Sequence, residues 1–206
     1  MADLNFHGAL SGSNIVASPS GSGVDISEVQ NLGMLDVRIL PQGRNALTAV
    51  TMELGFSFPH TPRTSASGRG RTALWWSVDQ WLVTCARARA QDLADRLETS
   101  LGRAHSMVTN VSDARSVIRI SGDQTRELLM KGCNLDLLAK DMAPGYVRRT
   151  QIAEIPVALH FISDAPLSFD IYVFRSYATY IWQWLTIAGR ASAALQFYGT
   201  QPPPPV

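Results

Sequence analysis

Twice in this chain an apolar strand-like run leads into an apolar or amphipathic helix, and this doubled unit limits the fold more than any other feature. The first run, Trp81-Leu82-Val83-Thr84, precedes a helical stretch with Leu93, Leu97 and Leu101 on one line. The second, Ile171-Tyr172-Val173-Phe174, precedes a helical stretch that carries Trp184. The two halves share this pattern far more than they share identical residues.

The last helical stretch, Arg175–Arg190, has no charge between its terminal arginines. Ser176 suits an N-cap, because its hydroxyl can accept from the unpaired first-turn amides, and Gly189 suits a left-handed residue past the end. Tyr177, Ile181, Trp184, Leu185 and Ala188 recur at helical spacing and form the expected core stripe. Tyr180, Trp182 and Ile187 fall outside it. Trp184 is therefore expected to serve the fold, and Tyr180, Trp182 and Ile187 to meet a protein partner. A membrane span is a poor explanation, since crossing a bilayer needs roughly 20 apolar residues.

Residues 1–32 read as an extended N-terminal arm rich in Ser, Gly and Asn, with apolar islands such as Ile15-Val16. Alone it is expected to be disordered and to gain order by docking on a partner. Residues 33–111 form a first α/β half. Its expected order is strand 34–40, helix 45–53 stopped by Gly55, loop 56–71, a hairpin of 72–77 and 80–84, helix 91–101 stopped by Gly102, and strand 105–111. This is the split βαβ order. Residues 112–190 form a second half. Strand 116–121 leads, through the capping-box spacing of Ser121 and Gln124, into a helix with Leu128 and Leu129 that stops at Gly132. Strands 146–151, 156–161 and 169–174 follow, and the final helix closes the unit. Residues 191–206 are a Pro-rich tail that favours extended polyproline. The expected fold is α+β, two ferredoxin-like halves with extended N- and C-terminal arms.

Composition points towards assembly. Only 17% of the 206 residues are charged, against about 25% in an ordinary soluble domain. There are five tryptophans, and Lys131 and Lys140 are the only lysines. Interfaces favour Arg over Lys, and so does a biased genome. A net charge of +1 is too near neutral for a global field that attracts nucleic acid or an anionic membrane. Cys85 and Cys133 are two thiols, and 1–10 lacks the basic run and apolar core of a secretory signal. Reduced cysteines in the cytoplasm are expected.

The motifs that carry chemistry are missing. Gly21-Ser22-Gly23 has Ile26 where a dinucleotide fingerprint needs its third glycine. There is no phosphate-cradling loop and no nucleophile elbow. His7, His60, His105 and His160 have no paired-ligand spacing, and His160 is placed on a sheet face. Arg63, Arg69 and Arg71 share one loop, where they suit either an anion or partner salt bridges. Trp75 and Trp76 are adjacent on a strand and point to opposite faces, so one is core and Trp76 is an interface candidate. No catalytic, cofactor-binding or metal residue is assigned.

Three segments resemble the gamma subunit of heterotetrameric sarcosine oxidase. They are Thr109-Asn-Val-Ser-Asp-Ala-Arg-Ser-Val-Ile-Arg-Ile-Ser-Gly122, Leu128-Leu129 with Lys131-Gly-Cys-Asn-Leu-Asp-Leu137, and Arg175-Ser-Tyr-Ala with Tyr180, Trp182, Trp184 and Leu185. In layout the resemblance covers roughly 35–188. The family is similar in fold to the folate-binding domain of the glycine-cleavage aminomethyltransferase. The resemblance implies a non-catalytic structural subunit. Its complex demethylates sarcosine to glycine, hydrogen peroxide and formaldehyde or methylenetetrahydrofolate. It implies alpha, beta and delta partners, mainly alpha, with FAD, FMN, NAD, tetrahydrofolate and zinc all held on other subunits. Folate binding is not carried over, because no counterpart of the folate-holding carboxylate is found; Asp113 reads as a capping aspartate. Two rivals are a stand-alone folate-binding one-carbon transfer protein and an RNA-binding module using the 63–71 loop.

Overall fold

The computed structural model describes residues 8–10, 16–17, 23–40 and 44–193; the rest of the N-terminal arm and the tail from 194 lie outside these described residues. The chain begins with β1 (Val16–Ala17), β2 (Asp25–Glu28), β3 (Leu32–Ile39) and α1 (Arg44–Leu54). It continues with β4 (Ser65–Gly68), β5 (Arg71–Ser77), β6 (Gln80–Ala86), α2 (Ala90–Leu101) and β7 (Ser106–Asn110). The second half comprises β8 (Arg115–Ser121), α3 (Thr125–Met130), β9 (Val147–Ile152), β10 (Ile155–Asp164), β11 (Leu167–Phe174) and α4 (Ala178–Ala188).

Two antiparallel sheets result, with strand orders β4-β5-β6-β3-β7 and β1-β2-β8-β11-β10-β9. The second repeats the first as β9-β10-β11-β8-β2, so β2 takes the place of β7 beside the leading strand of its half. Part of the expected arm thus docks on the chain's own sheet, with Ile26 opposite Ile120 and fully buried. Leu10 is buried in the same core. Glu28, whose carboxyl is pushed up by burial, accepts from the backbone amides of Leu10 and Ala9 and so fastens that turn.

Strand alternation separates three apolar layers. Leu35, Val37, Trp81 and Val83 face α1 and α2. Ile118, Ile120, Phe169, Ile171 and Val173 face α3 and α4. The opposite side chains, Met34, Leu74, Trp76, Leu82, Val117, Ala158 and Tyr172, meet between the two sheets. The order is helix, sheet, sheet, helix.

Several local expectations are corrected. The stretch 56–71 is not one loop: Ser65–Gly68 pairs with β5 across a tight turn in which Arg69 (φ 52°) and Gly70 (φ 71°) are both left-handed. Ser121 ends β8 and does not cap α3, which begins at Thr125 with no side-chain cap. Ser176 does not cap the last helix either, because a 3-10 turn, Arg175–Tyr177, precedes α4. Gly189 is right-handed at φ −77°, whereas Gly102 is left-handed at φ 55°.

That 3-10 turn resets the phase of α4. Its buried residues are Ala178, Ile181, Trp182 and Leu185, which match Ala90, Leu93, Ala94 and Leu97 of α2. Trp182, expected outside the core stripe, is 6% exposed inside it, while Tyr177, expected in the core, is 44% exposed. Trp184 is partly buried against the same core, and the far edge of its ring lies over Gly132. Trp76 is likewise buried, because the second sheet covers the face it points from.

Candidate functional site

Polar residues inside apolar strands mark the site. In β11 the run Leu-Ser-Phe-Asp-Ile-Tyr-Val-Phe places Asp170 and Tyr172 on the face towards the other sheet. Pairing sets Asp170 opposite Arg119 of β8 on one side and opposite His160 of β10 on the other. These three form a row across neighbouring strands. Ser65 of β4 reaches it from the other sheet and lines the same cleft of about 430 Å³, with Thr72, Thr84 and Cys85.

Arg119 grips Asp170 with both prongs: Nε donates to Oδ1 at 2.7 Å and Nη2 to Oδ2 at 2.8 Å. Asp170 is buried, and the guanidinium gives it a bidentate, charge-assisted partner. The same bond raises the affinity of Arg119 for its proton. His160 Nε2 lies 2.9 Å from Ser65 Oγ, and Ser65 Oγ donates to the Gly145 carbonyl at 3.0 Å. Since Ser65 has one proton, His160 carries its own on Nε2 and donates to Ser65. Its Nδ1 is then a lone pair, buried and unbonded among the described residues.

This Ser-His-Asp neighbourhood does not have the geometry of an activated hydroxyl. A general base would have to accept from Ser65, and here it donates. A triad aspartate would hold Nδ1, yet Asp170 is committed to Arg119. Burial pushes His160 down to about 4, which makes it a weak base near neutral pH. Burial also drives the Tyr172 hydroxyl far up and raises the Cys85 thiol, so neither is a ready nucleophile. The row serves best as a polar brace between sheets. Among the described residues, no group of three or more His, Cys, Asp or Glu is placed to hold a metal. No helix among them is long and apolar enough to cross a membrane.

The residues singled out from sequence are scattered. Arg71 donates to the Glu53 carbonyl at 2.7 Å, and the Arg69 guanidinium packs beside Gly55, so both sit at the end of α1. Arg63 instead points to Asp141, 3.9 Å away. They do not converge on one anion. Tyr180 and Ile187 are 49% and 56% exposed and continue outwards from Tyr177 along α4. His160 is on a sheet face, as expected, but Ser65, Arg119 and Asp170 were not singled out. The signal was present in the lone Asp within the apolar β11 sequence.

Comparison with known proteins agrees with this fold. Residues 43–192 match the model of the "Sarcosine oxidase, gamma subunit family". A sarcosine oxidase subunit gamma from Corynebacterium sp. (strain U-96) is 31% identical over 139 residues, 66% of this chain and 65% of that protein. A counterpart from Arthrobacter sp is 28% identical, over 66% of each chain. The aligned region thus spans just under two thirds of these relatives. The solved heterotetrameric sarcosine oxidase from Corynebacterium sp. U-96 superposes with a TM-score of 0.82 at 23% identity, over 93% of this chain and 98% of that one. The glycine cleavage system aminomethyltransferase T from Bartonella henselae superposes with a TM-score of 0.59 at 12% identity, over 78% of this chain and 44% of that one. The fold, the doubled half and the family model lead to one assignment: the chain belongs to the sarcosine oxidase gamma subunit family.

Proposed function

We propose that this chain is a non-catalytic, structural subunit of a cytoplasmic heterotetrameric sarcosine oxidase, with alpha, beta and delta subunits as partners and alpha as the main one. The reaction of the complex is the oxidative demethylation of sarcosine to glycine, hydrogen peroxide and formaldehyde or methylenetetrahydrofolate. FAD, FMN, NAD, tetrahydrofolate and zinc are assigned to the other subunits. Family membership supports the setting. The observation that carries the role is the uncovered apolar side of α4. Tyr177, Tyr180 and Ile187 are each exposed on a helix whose other side already fills the core. Such a face is costly in water and fits a partner's surface. The interface residues proposed are Tyr180 and Ile187, with Arg63, Arg69 and Arg71 as separate polar contact candidates; Trp182 and Trp76 act from within the fold by supporting its surface.

The test is expression of the full chain alone and beside its alpha subunit, followed by solution mass and soluble yield. Aggregation alone with co-elution beside alpha supports a structural subunit. A stable monomer that ignores alpha overturns it.

A further inference from the structure

Four residues beyond Asp170 along β11, the gap between the sheets opens into a second recess of about 540 Å³. It is lined by Arg38, Arg115, Arg149, Gln80, Trp76 and Phe174 among others, and none of its lining residues carries a carboxylate. Arg115 is held between two rings: its guanidinium lies 4.0 Å from the Phe174 ring centre and 5.3 Å from that of Trp76. Stacking satisfies the faces of a guanidinium and leaves its N–H fork free at the edge.

The charges around this recess do not balance within the chain. Arg115 and Arg149 form no ion pair among the described residues. Arg38 reaches Asp79 only at 3.9 Å, across an exposed contact. Asp36, which is not in the lining, accepts both 2.8 Å contacts from the Gln80 amide and acts on Arg115 electrostatically. Burial weakens the hold of Arg115 on its proton; Asp36 opposes this electrostatically and the neighbouring Arg149 adds to it. Phe174 leaves 43% of its surface uncovered and leads directly into the exposed Tyr177 and Tyr180.

We infer that this recess receives an acidic segment of a partner subunit, with a carboxylate on the Arg115–Arg149 forks and an apolar neighbour on Phe174. The inference rests on the subunit reading and specifies the chemistry of its interface. Three cations without a lining carboxylate select a negative occupant, and the exposed ring selects one with an apolar flank. Continuity with α4 places this contact and the apolar helix face on one surface.

The experiment titrates the full chain against its co-purified partner subunits at several salt concentrations, comparing wild type with Arg149→Glu, Arg149→Lys and Arg115→Met. Binding should weaken as salt rises, and Arg149→Glu should lose about tenfold or more in affinity. Arg149→Lys, which keeps the charge but not the fork, should fall between wild type and Arg149→Glu, and Arg115→Met should lose affinity with an unchanged circular dichroism spectrum. Because Arg149 is exposed, its variants test the idea even if Arg115→Met misfolds. Wild-type assembly with undiminished binding by Arg149→Glu overturns the inference and leaves the subunit reading standing. Failure of the wild type itself to bind overturns both.

Discussion

Arg119 and Asp170 face each other on neighbouring strands and close a two-pronged ion pair between the two sheets. Asp170 is 4% exposed, while the Arg119 side chain keeps 42% of its surface in solvent. Removing the arginine therefore leaves a buried charge alone, whereas removing the aspartate lets the arginine turn to water. Breaking a buried pair from one side costs about 3–5 kcal/mol, and partial exposure puts this pair at the lower end. Arg119→Met should lose about 3 kcal/mol in urea unfolding. The double variant Arg119→Met/Asp170→Leu should recover at least half of that. If the double variant is as unstable as Arg119→Met, the pair is not the source of the loss.

Gly132 is required by contact, not by backbone conformation. A Cβ there would lie 2.5 Å from Cζ2 and 2.8 Å from Cη2 of Trp184. Those two atoms are at the far edge of the indole and are absent in phenylalanine. Gly132→Ala should lower stability by about 1–3 kcal/mol through overpacking. Adding Trp184→Phe should restore part of it, although that change is destabilising alone. Thermal unfolding of the four combinations checks the sign of the coupling; simple additivity would mean that the ring and Gly132 do not collide.

His160 gives the fold a pH dependence. Its affinity for a proton falls from the usual 6.5 to about 4 because burial disfavours the cation. The unfolded chain then binds the proton first, so stability is full above pH 6.5 and falls as pH drops towards 4. The loss across that window is on the order of 3 kcal/mol. His160→Gln can still donate to Ser65 and does not titrate. Its unfolding midpoint should change less with pH over the same range. Parallel curves for the two proteins would remove His160 as the sensor.

What could be read from sequence follows the range of the interactions. Val83 into Leu93 and Ile171 into Ile181 were legible because strand and helix periodicity are local. Ser65–Gly68 was not, since a Ser-Ala-Ser-Gly strand has no apolar alternation and is held by its hairpin partner. The brace was only half visible. Arg119 and Asp170 are 51 positions apart and meet by strand pairing, while Ser65 and His160 are 95 apart and meet because one sheet packs on the other. On the apolar helix α4 the stripe through Ile181, Trp184, Leu185 and Ala188 was legible, but Tyr177 and Trp182 were exchanged because nearly every position is apolar or aromatic. Its phase is set by the 3-10 turn before it, which no spacing rule supplied.

That corrected phase makes the last prediction opposite to one drawn from sequence. Trp182 occupies the place that Ala94 takes in α2, under the sheet and 6% exposed. Truncating a buried aromatic to alanine costs about 3–5 kcal/mol. Trp182→Ala should therefore unfold at lower temperature and give less soluble chain even without partners. Ile187, 56% exposed on the same helix, has little packing to lose. Ile187→Ser should stay within about 0.5 kcal/mol of wild type by thermal unfolding, because surface substitutions away from packed features have small effects. Under the subunit reading it should also weaken capture by the alpha subunit, while Trp182→Ala impairs capture only as far as it impairs folding. A Trp182→Ala chain with a wild-type melting temperature and poor capture would instead return the indole to the partner's side of the helix.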